Sequence, residues 1–273
     1  MTEPDAEELE LDLFLEAVHR RYQHDFRAYV RSSLRRRVAG AVSRFGCTNV
    51  SELQGRILRE PKLFAQLLPM LTVQVSEMFR DPGYFLSLRT HVIPVLRTYP
   101  SLKIWVAGCS TGEEAYSLAI LLEEERLLDR TILYATDINV ESLERAERGV
   151  YPIDRIAGFS ASYQRAGGKG SLSDYYTAAY DGALFDRRLR RHIVFSDHSL
   201  ATDNVFAETH LVSCRNVLIY FDRPLQERAI GLFTESLVRR GFLGLGSSET
   251  LRFHALAPSY DELVRADRIY QKK

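Results

Sequence analysis

The sequence predicts an α/β fold with a parallel sheet, preceded by a helical N-terminal region. From residue 102 onward, apolar runs alternate with segments of helical pattern, and such alternation implies parallel strands joined by crossover helices. Residues 11–70 instead lack a strand-like alternation and place apolar residues at helical spacing. The first predicted elements of the α/β region are strands at 102–106 and 131–136 and helices at 113–125 and 141–148.

The length of 273 residues exceeds that of one usual domain, so two domains are expected. Later apolar runs predict strands at 193–195, 211–214, 242–245 and 267–271, with a helix over 226–238. Glycines and the basic stretch 187–191 interrupt the alternation, which indicates an insertion. The predicted boundaries are a helical domain at 1–72, a linker with a helix at 73–100, and an α/β domain at 101–273 with an insertion at 160–192.

Composition excludes several classes of protein. Lys plus Arg and Asp plus Glu both number 36, so no nucleic-acid partner is expected from net charge. The three cysteines lack the spacing of a disulfide framework, and neither they nor the seven histidines show metal-site spacing, so a reducing cytoplasm and no metal are expected. The acidic stretch 1–12 and the absence of a run of about 18 apolar residues predict neither export nor membrane insertion.

The junction at residues 104–117 carries the strongest indication of a ligand. An apolar run breaks into a small-residue turn, from Gly108 to Gly112, and then opens a helix at Glu113. Small residues let backbone N–H groups approach a nucleotide-like cofactor closely. The turn lacks the Lys of a P-loop and the third glycine of a dinucleotide fingerprint. A carboxylate at a helix N-terminus would repel a pyrophosphate but pair with an ammonium or sulfonium group, so the predicted ligand is S-adenosylmethionine (SAM).

Polar residues follow two other predicted strands. Asp137 comes directly after the strand at 131–136, where doubly wound folds place an acid that accepts hydrogen bonds from ribose hydroxyls. The alternative role for Asp137 is an N-cap of the next helix, although Asn139 is the more natural cap. Asn216 follows the strand at 211–214 and is expected to face the ligand crevice, while Ile219 and Phe221 are expected to pack in the core.

The helical region carries a concentrated positive charge. Between Arg20 and Arg44 the chain has eight arginines and one acidic residue, a net charge of +7. Arg27, Arg31 and Arg35 are spaced to share one face of a helix. A solvated helix surface is one interpretation, and a docking face for an acidic partner is the other.

Four segments together form a recognisable pattern. They are Met78-Phe79-Arg80, Ala107-Gly108-Cys109-Ser110-Thr111-Gly112-Glu113-Glu114-Ala115-Tyr116-Ser117, Ala135-Thr136-Asp137-Ile138 and Cys214-Arg215-Asn216-Val217-Leu218-Ile219-Tyr220-Phe221. In this order they resemble the CheR family of chemotaxis receptor glutamate O-methyltransferases, and the likeness covers about 14–270. The resemblance implies a Rossmann-like class I SAM-dependent methyltransferase fold with a small all-α N-terminal domain. It also implies an inserted small β-subdomain, which corresponds to the insertion at 160–192.

The resemblance also implies which residues bind the cofactor. Gln74, Ser76 and Ser199 differ from the family's frequent residues, which are Asn, Thr and Asn, but each keeps a hydrogen-bonding group. The positions that match the family's SAM contacts are Gln74, Ser76, Arg80, Ala107, Gly108, Glu113, Asp137, Ser199, Leu200, Asn216 and Val217.

The implied activity is methyl transfer from SAM to glutamate carboxylates in the cytoplasmic helices of chemoreceptors, with S-adenosylhomocysteine (SAH) as product. Arg80 and Tyr220 are the candidates for positioning the reactants, with core packing as the alternative for Tyr220. Arg27, Arg31, Arg35 and Arg36 are the candidates for docking the receptor.

Two further expectations follow from the resemblance. Because the stretch 167–174 resembles members without a receptor tether, no tethering through a receptor C-terminal pentapeptide is expected. Two alternative functions stay open: SAM-dependent methylation of another substrate, and a non-catalytic SAM- or SAH-binding regulator of a signalling array.

Overall fold

The N-terminal region is a bundle of four helices around its own apolar core. The computed structural model describes residues 6–273, so the first five residues of the predicted helical domain and of the acidic stretch lie outside the described part. The bundle confirms the predicted helical region, although Arg27 precedes the second helix instead of lying on it. The helices are α1 Ala6–Tyr22, α2 Arg31–Arg44, α3 Val50–Arg59 and α4 Pro61–Leu71.

A short helical segment connects the bundle to the α/β domain. It comprises α5 Pro82–Ser87, a π-helical turn Leu88–Val92 and α6 Ile93–Leu96. Tyr84 in α5 is buried and its hydroxyl lies 2.8 Å from Ser213 Oγ on a strand of the main sheet. The connecting segment is therefore packed onto the α/β domain.

Alternating strands and helices follow, as the sequence predicts. The remaining helices are α7 Glu113–Glu124, α8 Val140–Arg148, α9 Ile156–Arg165, α10 Arg187–Arg190 and α11 Arg223–Ser236. The strands are β1 Leu102–Ala107, β2 Thr131–Asp137, β3 Val150–Pro152, β4 Tyr176–Ala179, β5 Gly182–Phe185, β6 Ile193–Asp197, β7 Thr209–Cys214, β8 Leu237–Leu245, β9 Tyr260–Val264 and β10 Ile269–Lys272.

Within residues 6–273, seven strands form the main sheet in the order β6-β2-β1-β7-β8-β10-β9. The pairs from β6 to β8 are parallel, and β10 is antiparallel to both β8 and β9. Strand order reverses between β1 and β7, and ligands of open α/β sheets bind in the crevice at such a switch point, outside the carboxyl ends of the strands. The fold thus places a binding crevice at the carboxyl end of β1. This strand lies in the core, since its Ile104 and Trp105 are fully buried.

The insertion contains a small antiparallel sheet in the order β3-β5-β4. Because β3 begins at Val150 and pairs with β5, this sheet starts ten residues before the predicted boundary at 160. A strand of three residues is too short to show an alternating pattern, which explains the displaced boundary. No helix in the described chain combines the length and apolar character that a membrane span would require.

Candidate functional site

A cavity that is open to solvent lies at the carboxyl ends of β1, β2 and β7. Its walls come from the strand ends, from the segment at 72–80 and from the helical bundle. Both parts of the chain therefore contribute to one site.

The loop after β1 needs glycine at Gly108. This residue has φ +75°, in the left-handed region, and a Cβ there would lie 2.4 Å from Val217 Cγ2. The loop that follows β1 and the loop that follows β7 thus meet at a contact that a larger residue would disrupt. Gly108 and Val217 both line the cavity.

Asp137 at the end of β2 is a buried carboxylate at the cavity wall. It accepts hydrogen bonds from the backbone N–H groups of Ser110 at 2.8 Å and Asn139 at 3.0 Å. Burial raises the pKa of Asp137, and these N–H donors oppose the rise. The donors fix the carboxylate and leave lone pairs for ligand hydroxyls. Asn139 caps α8 through Ser142, as the sequence predicts.

Asn216 follows β7 in the left-handed region, with φ +60°, and lines the cavity. Its conformation is held by Glu249, which accepts hydrogen bonds from the N–H groups of Gly246 at 2.6 Å, Val217 at 2.9 Å and Asn216 at 3.0 Å. Burial raises the pKa of Glu249, and those N–H donors oppose the rise. The sequence analysis missed Glu249, since an isolated Glu after a strand carries no motif.

Residues before the connecting helix form another wall of the cavity. Gln74 Oε1 accepts hydrogen bonds from Ser110 Oγ at 2.9 Å and Ser142 Oγ at 2.6 Å, which ties this wall to the β1 loop. Ser76 and Arg80 also line the cavity. Within residues 6–273 the guanidinium of Arg80 has no hydrogen-bond or ion-pair partner, so it is available to an anionic ligand.

Three predicted cofactor residues do not line the cavity: Ala107, Glu113 and Ser199. Glu113 is fully buried, with Oε1 2.8 Å from Arg155 Nη1 and Oε2 2.7 Å from Thr111 Oγ1. The neighbouring Glu114 lines the cavity instead.

Ala107 is a buried β1 residue, and Ser199 lies in the turn after β6, where its N–H donates to Asp203 Oδ2 at 2.9 Å. Leu200, which follows it, does line the cavity, as do Gln74, Ser76, Arg80, Gly108, Asp137, Asn216 and Val217.

The helical bundle reaches the cavity through Arg37 on α2. The guanidinium carbon of Arg37 lies 4.9 Å from the ring centre of Tyr220, and Arg37 Nη1 donates to the Leu71 carbonyl at 2.6 Å. Tyr220 is half-buried at the cavity wall. Ile219 is 39% exposed, so the prediction that it packs in the core is wrong, whereas Phe221 is buried as predicted.

Two family models match this chain. The CheR methyltransferase all-alpha domain matches residues 9–72, and the CheR methyltransferase SAM binding domain matches residues 74–260. The chain belongs to the CheR methyltransferase family. Its family model confirms SAM as the cofactor and, with the sheet described above, the Rossmann-like class I fold.

This CheR family member is similar to curated proteins over shares of its length that differ from one relative to the next. The chain is 53% identical to the Pseudomonas putida protein Cher3 over 272 residues, which is 100% of both chains. It is 29% identical over 240 residues to a chemotaxis protein methyltransferase of Listeria monocytogenes, covering 87% of this chain and 88% of that one. A Salmonella typhimurium chemotaxis protein methyltransferase is 32% identical over 187 residues, covering 66% and 61%.

The residues of this CheR cavity fit SAM. Asp137 presents a fixed carboxylate for ribose hydroxyls, and the loop at Gly108 permits close approach to the backbone. Asn216 Oδ1 is buried without a hydrogen-bond partner in the described chain, so it can accept from a ligand N–H or O–H. No cluster of His, Cys, Asp and Glu among residues 6–273 could hold a metal ion.

The arginines predicted to dock a partner are arranged differently from the sequence prediction. Because α2 begins at Arg31, Arg27 does not share a helical face with Arg31 and Arg35. All three form ion pairs with acidic residues, whereas exposed Arg36 has no such partner within the described residues. The pairs are Arg27 with Asp25 and Glu16, Arg31 with Glu8 and Asp12, and Arg35 with Glu8.

The net charge of +7 covers only residues 20–44. It therefore leaves out the acidic residues of α1 that neutralise these arginines. Glu8, Asp12 and Glu16 recur every fourth residue along α1, so they form an acidic stripe. That stripe faces the arginines at the start of α2. Most of the predicted positive face is therefore balanced within the bundle.

Proposed function

We propose that this chain transfers the methyl group of SAM to side-chain carboxylates of specific glutamates in the cytoplasmic helices of chemoreceptors. The relatives named chemotaxis protein methyltransferase support a role in chemotaxis. The observation that carries the choice of a carboxylate acceptor is the pair of guanidinium groups, Arg37 and Arg80, on the wall of the cofactor cavity.

The chemistry requires little beyond positioning. A glutamate side chain has an unperturbed pKa near 4.3 and is ionised at neutral pH, so it needs no general base. When bound, SAM supplies a methyl group on a positively charged sulfur. The protein has to hold the attacking oxygen in line with that methyl group and to exclude water, and positioning of this kind can contribute roughly 7–11 kcal/mol.

Three side chains fit this positioning role. Arg37 and Arg80 offer planar donors that can bind a carboxylate through two N–H groups. Because Arg37 comes from the helical bundle and contacts the Tyr220 ring, we assign Arg37 to the substrate carboxylate. Arg80 lies next to the segment that carries Gln74 and Ser76, which favours the carboxylate of the cofactor for Arg80. Tyr220 packs between the two domains and limits access of water.

The substrate class also sets the expected location and partner. Receptor helices of this kind lie on the cytoplasmic side of the membrane, so the proposed enzyme acts in the cytoplasm. The proposal includes direct recognition of those helices without a receptor C-terminal pentapeptide tether.

The test is methyl transfer from radiolabelled SAM to membranes that contain the chemoreceptors of the same organism. Label in the receptor band that is released as methanol at alkaline pH identifies a carboxyl methyl ester. Receptors with Gln in place of the candidate glutamates serve as the matched control and should lose the label. Alkali-stable label would indicate another acceptor, and binding of SAM without any transfer would indicate a regulator.

A further inference from the structure

We propose that His198 recognises the adenine amino group of the cofactor and thereby selects adenosine over other nucleosides. His198 follows β6, and its backbone N–H donates to the Asp137 carbonyl at 3.2 Å. The inference depends on SAM as the cofactor and does not depend on which substrate receives the methyl group. The predicted cofactor positions do not include this histidine.

The hydrogen bond of the ring selects one of its two neutral tautomers. His198 Nε2 lies 3.1 Å from the Asn204 carbonyl, which can only accept a hydrogen bond, so Nε2 carries the hydrogen. In the neutral ring, Nδ1 then presents a lone pair. Nδ1 is buried and has no hydrogen-bond partner among residues 6–273. A buried acceptor without a donor is unfavourable, so this atom points to a ligand that supplies an N–H.

The ring cannot rotate freely to satisfy Nδ1 elsewhere. The single tryptophan of the chain, Trp105, packs edge to face against His198, with ring centres 5.2 Å apart. Phe206 packs on His198 at the same distance, 5.2 Å. A flip of the ring would place a C–H group at the Asn204 carbonyl and lose the hydrogen bond from Nε2. The acceptor is therefore held at a fixed position in the wall.

The position matches the base of an adenosine ligand. Asp137 is placed for the ribose hydroxyls, and the base is attached to the ribose carbon next to the 2′-hydroxyl. His198 is the hydrogen-bonded neighbour of Asp137 at this end of the cavity. Ile138 and Leu200 also line the cavity there and provide the apolar surfaces on which a purine can pack. Adenine offers two N–H donors on its exocyclic amine, whereas hypoxanthine has a carbonyl oxygen at that place.

The experiment measures binding of SAH and of S-inosylhomocysteine, in which the amine is replaced by a carbonyl oxygen. Titration calorimetry gives both dissociation constants, and the fluorescence of Trp105 provides a second reading without interference from another tryptophan. The native protein should bind SAH at least about tenfold more tightly than the inosyl compound. Equal binding of the two compounds would overturn the proposal without any variant.

Two variants assign the selection to His198. His198→Phe keeps the ring packing on Trp105 but lacks the acceptor, so SAH should bind about tenfold more weakly while binding of the inosyl compound changes less than threefold. His198→Asn keeps an acceptor near Nδ1 and should restore most of the preference. A His198→Phe variant that keeps the native preference, or that weakens both compounds equally, would overturn the proposal. Near-ultraviolet circular dichroism checks that each variant is folded.

Discussion

At the scale of single residues, Arg37 shows how a side chain of the helical domain lines the cavity of the other domain. Its guanidinium lies over the Tyr220 ring, and Arg37 lines the same cavity as the loops that follow β1 and β7. Burial lowers the pKa of Arg37, but arginine keeps its charge at any physiological pH. The position therefore provides a fixed positive charge for an incoming carboxylate.

We expect Arg37→Ala to lower kcat/KM for receptor methylation by about a hundredfold, since misplacement of the acceptor by an ångström can have that effect. Arg37→Lys should recover part of the rate because it keeps the charge but loses the planar fork. SAH affinity, measured by calorimetry, should change less than threefold. The control Arg44→Ala, at an exposed position at the far end of α2, tests for a general effect of charge. A large loss of SAH affinity in Arg37→Ala would assign Arg37 to the cofactor instead.

Glu249 is a second residue whose role only the three-dimensional structure reveals. Both of its oxygens accept backbone N–H groups, including those of Asn216 and Val217. In Glu249→Gln, an amide NH2 would replace one acceptor and face these donors. We expect a loss of about 1–3 kcal/mol in the free energy of unfolding and a weaker affinity for SAH. Urea denaturation and calorimetry measure the two effects.

Glu249→Asp is the companion variant to Glu249→Gln. It keeps the charge and should retain more SAH affinity than the amide, although its shorter side chain stretches the hydrogen bonds. Equal SAH affinity in the native protein and in Glu249→Gln would show that the loop at 216–219 holds its shape without this carboxylate.

At the scale of elements, the insertion is attached to the main domain by a cluster of charges at the end of α7. Glu125 forms ion pairs with Arg89 at 2.9 Å and Lys169 at 2.8 Å, and Lys169 belongs to the insertion. The Glu124 side chain, which is only 3% exposed, accepts hydrogen bonds from the backbone N–H of Lys169 at 2.8 Å and from the Tyr163 hydroxyl. Burial opposes the charged form of Glu125, but the hydrogen bonds from Lys169 and Arg89 outweigh it and lower its pKa.

This lowered pKa gives a pH dependence of stability with a defined sign. Because the folded-state pKa lies below the unfolded value of about 4.5, the stabilisation is complete above that value and is lost as pH falls through the folded pKa. We expect Glu125→Gln to be less stable than the native protein by about 1–3 kcal/mol at pH 7, with a difference that shrinks as the pH falls below the unfolded value of about 4.5. Urea denaturation at several pH values measures it, and a difference independent of pH would contradict the assignment.

The elements that the sequence predicts well are those with strong local patterns. The core strands β1 and β2 and the helices α7 and α8 agree with prediction to within one or two residues, because buried apolar runs and Gly-rich turns mark them. The edge strand β9 was missed, since Asp261 and Glu262 hide it among polar residues.

The residues of the site also differ in how well the nearby sequence marks them. Asp137 and Asn216 end predicted strands, so the rule on strand ends places them at the crevice. Glu249, Arg37 and His198 reach the site only through tertiary contacts and carry no local signal. The acidic stripe of α1 was overlooked for the same reason, because its partners are on another helix.

At the scale of the whole molecule, the helical domain packs directly against the segment that follows β7. Val30 N–H donates to the Tyr220 carbonyl at 2.9 Å, and Asp222 N–H donates to the Ala28 carbonyl at 2.9 Å. The rings of Tyr29 and Phe221 pack with centres 5.0 Å apart. The loop that carries Asn216 therefore continues directly into the contact with the bundle, so a receptor helix that docked on the bundle as proposed would lie close to the cofactor cavity.

The structure revises which arginines of the bundle are candidates for docking a partner. Since Arg27, Arg31 and Arg35 pair with acids of their own domain, the exposed guanidinium of Arg36 is the strongest candidate for first contact with an acidic receptor helix. The three paired arginines stay candidates, because ion pairs at a surface are weak and can exchange partners. Attraction between charges of this kind raises the association rate and is screened by salt.

We expect Arg36→Glu to slow receptor methylation at low ionic strength and to flatten its dependence on salt, while SAH affinity stays unchanged. Arg44→Glu is the matched control, because it makes the same charge change at an exposed position at the far end of α2. Initial rates across a series of salt concentrations separate the two variants. If Arg36→Glu and Arg44→Glu slow the reaction equally, the receptor responds to net charge alone. If neither slows it, this end of α2 does not dock the receptor.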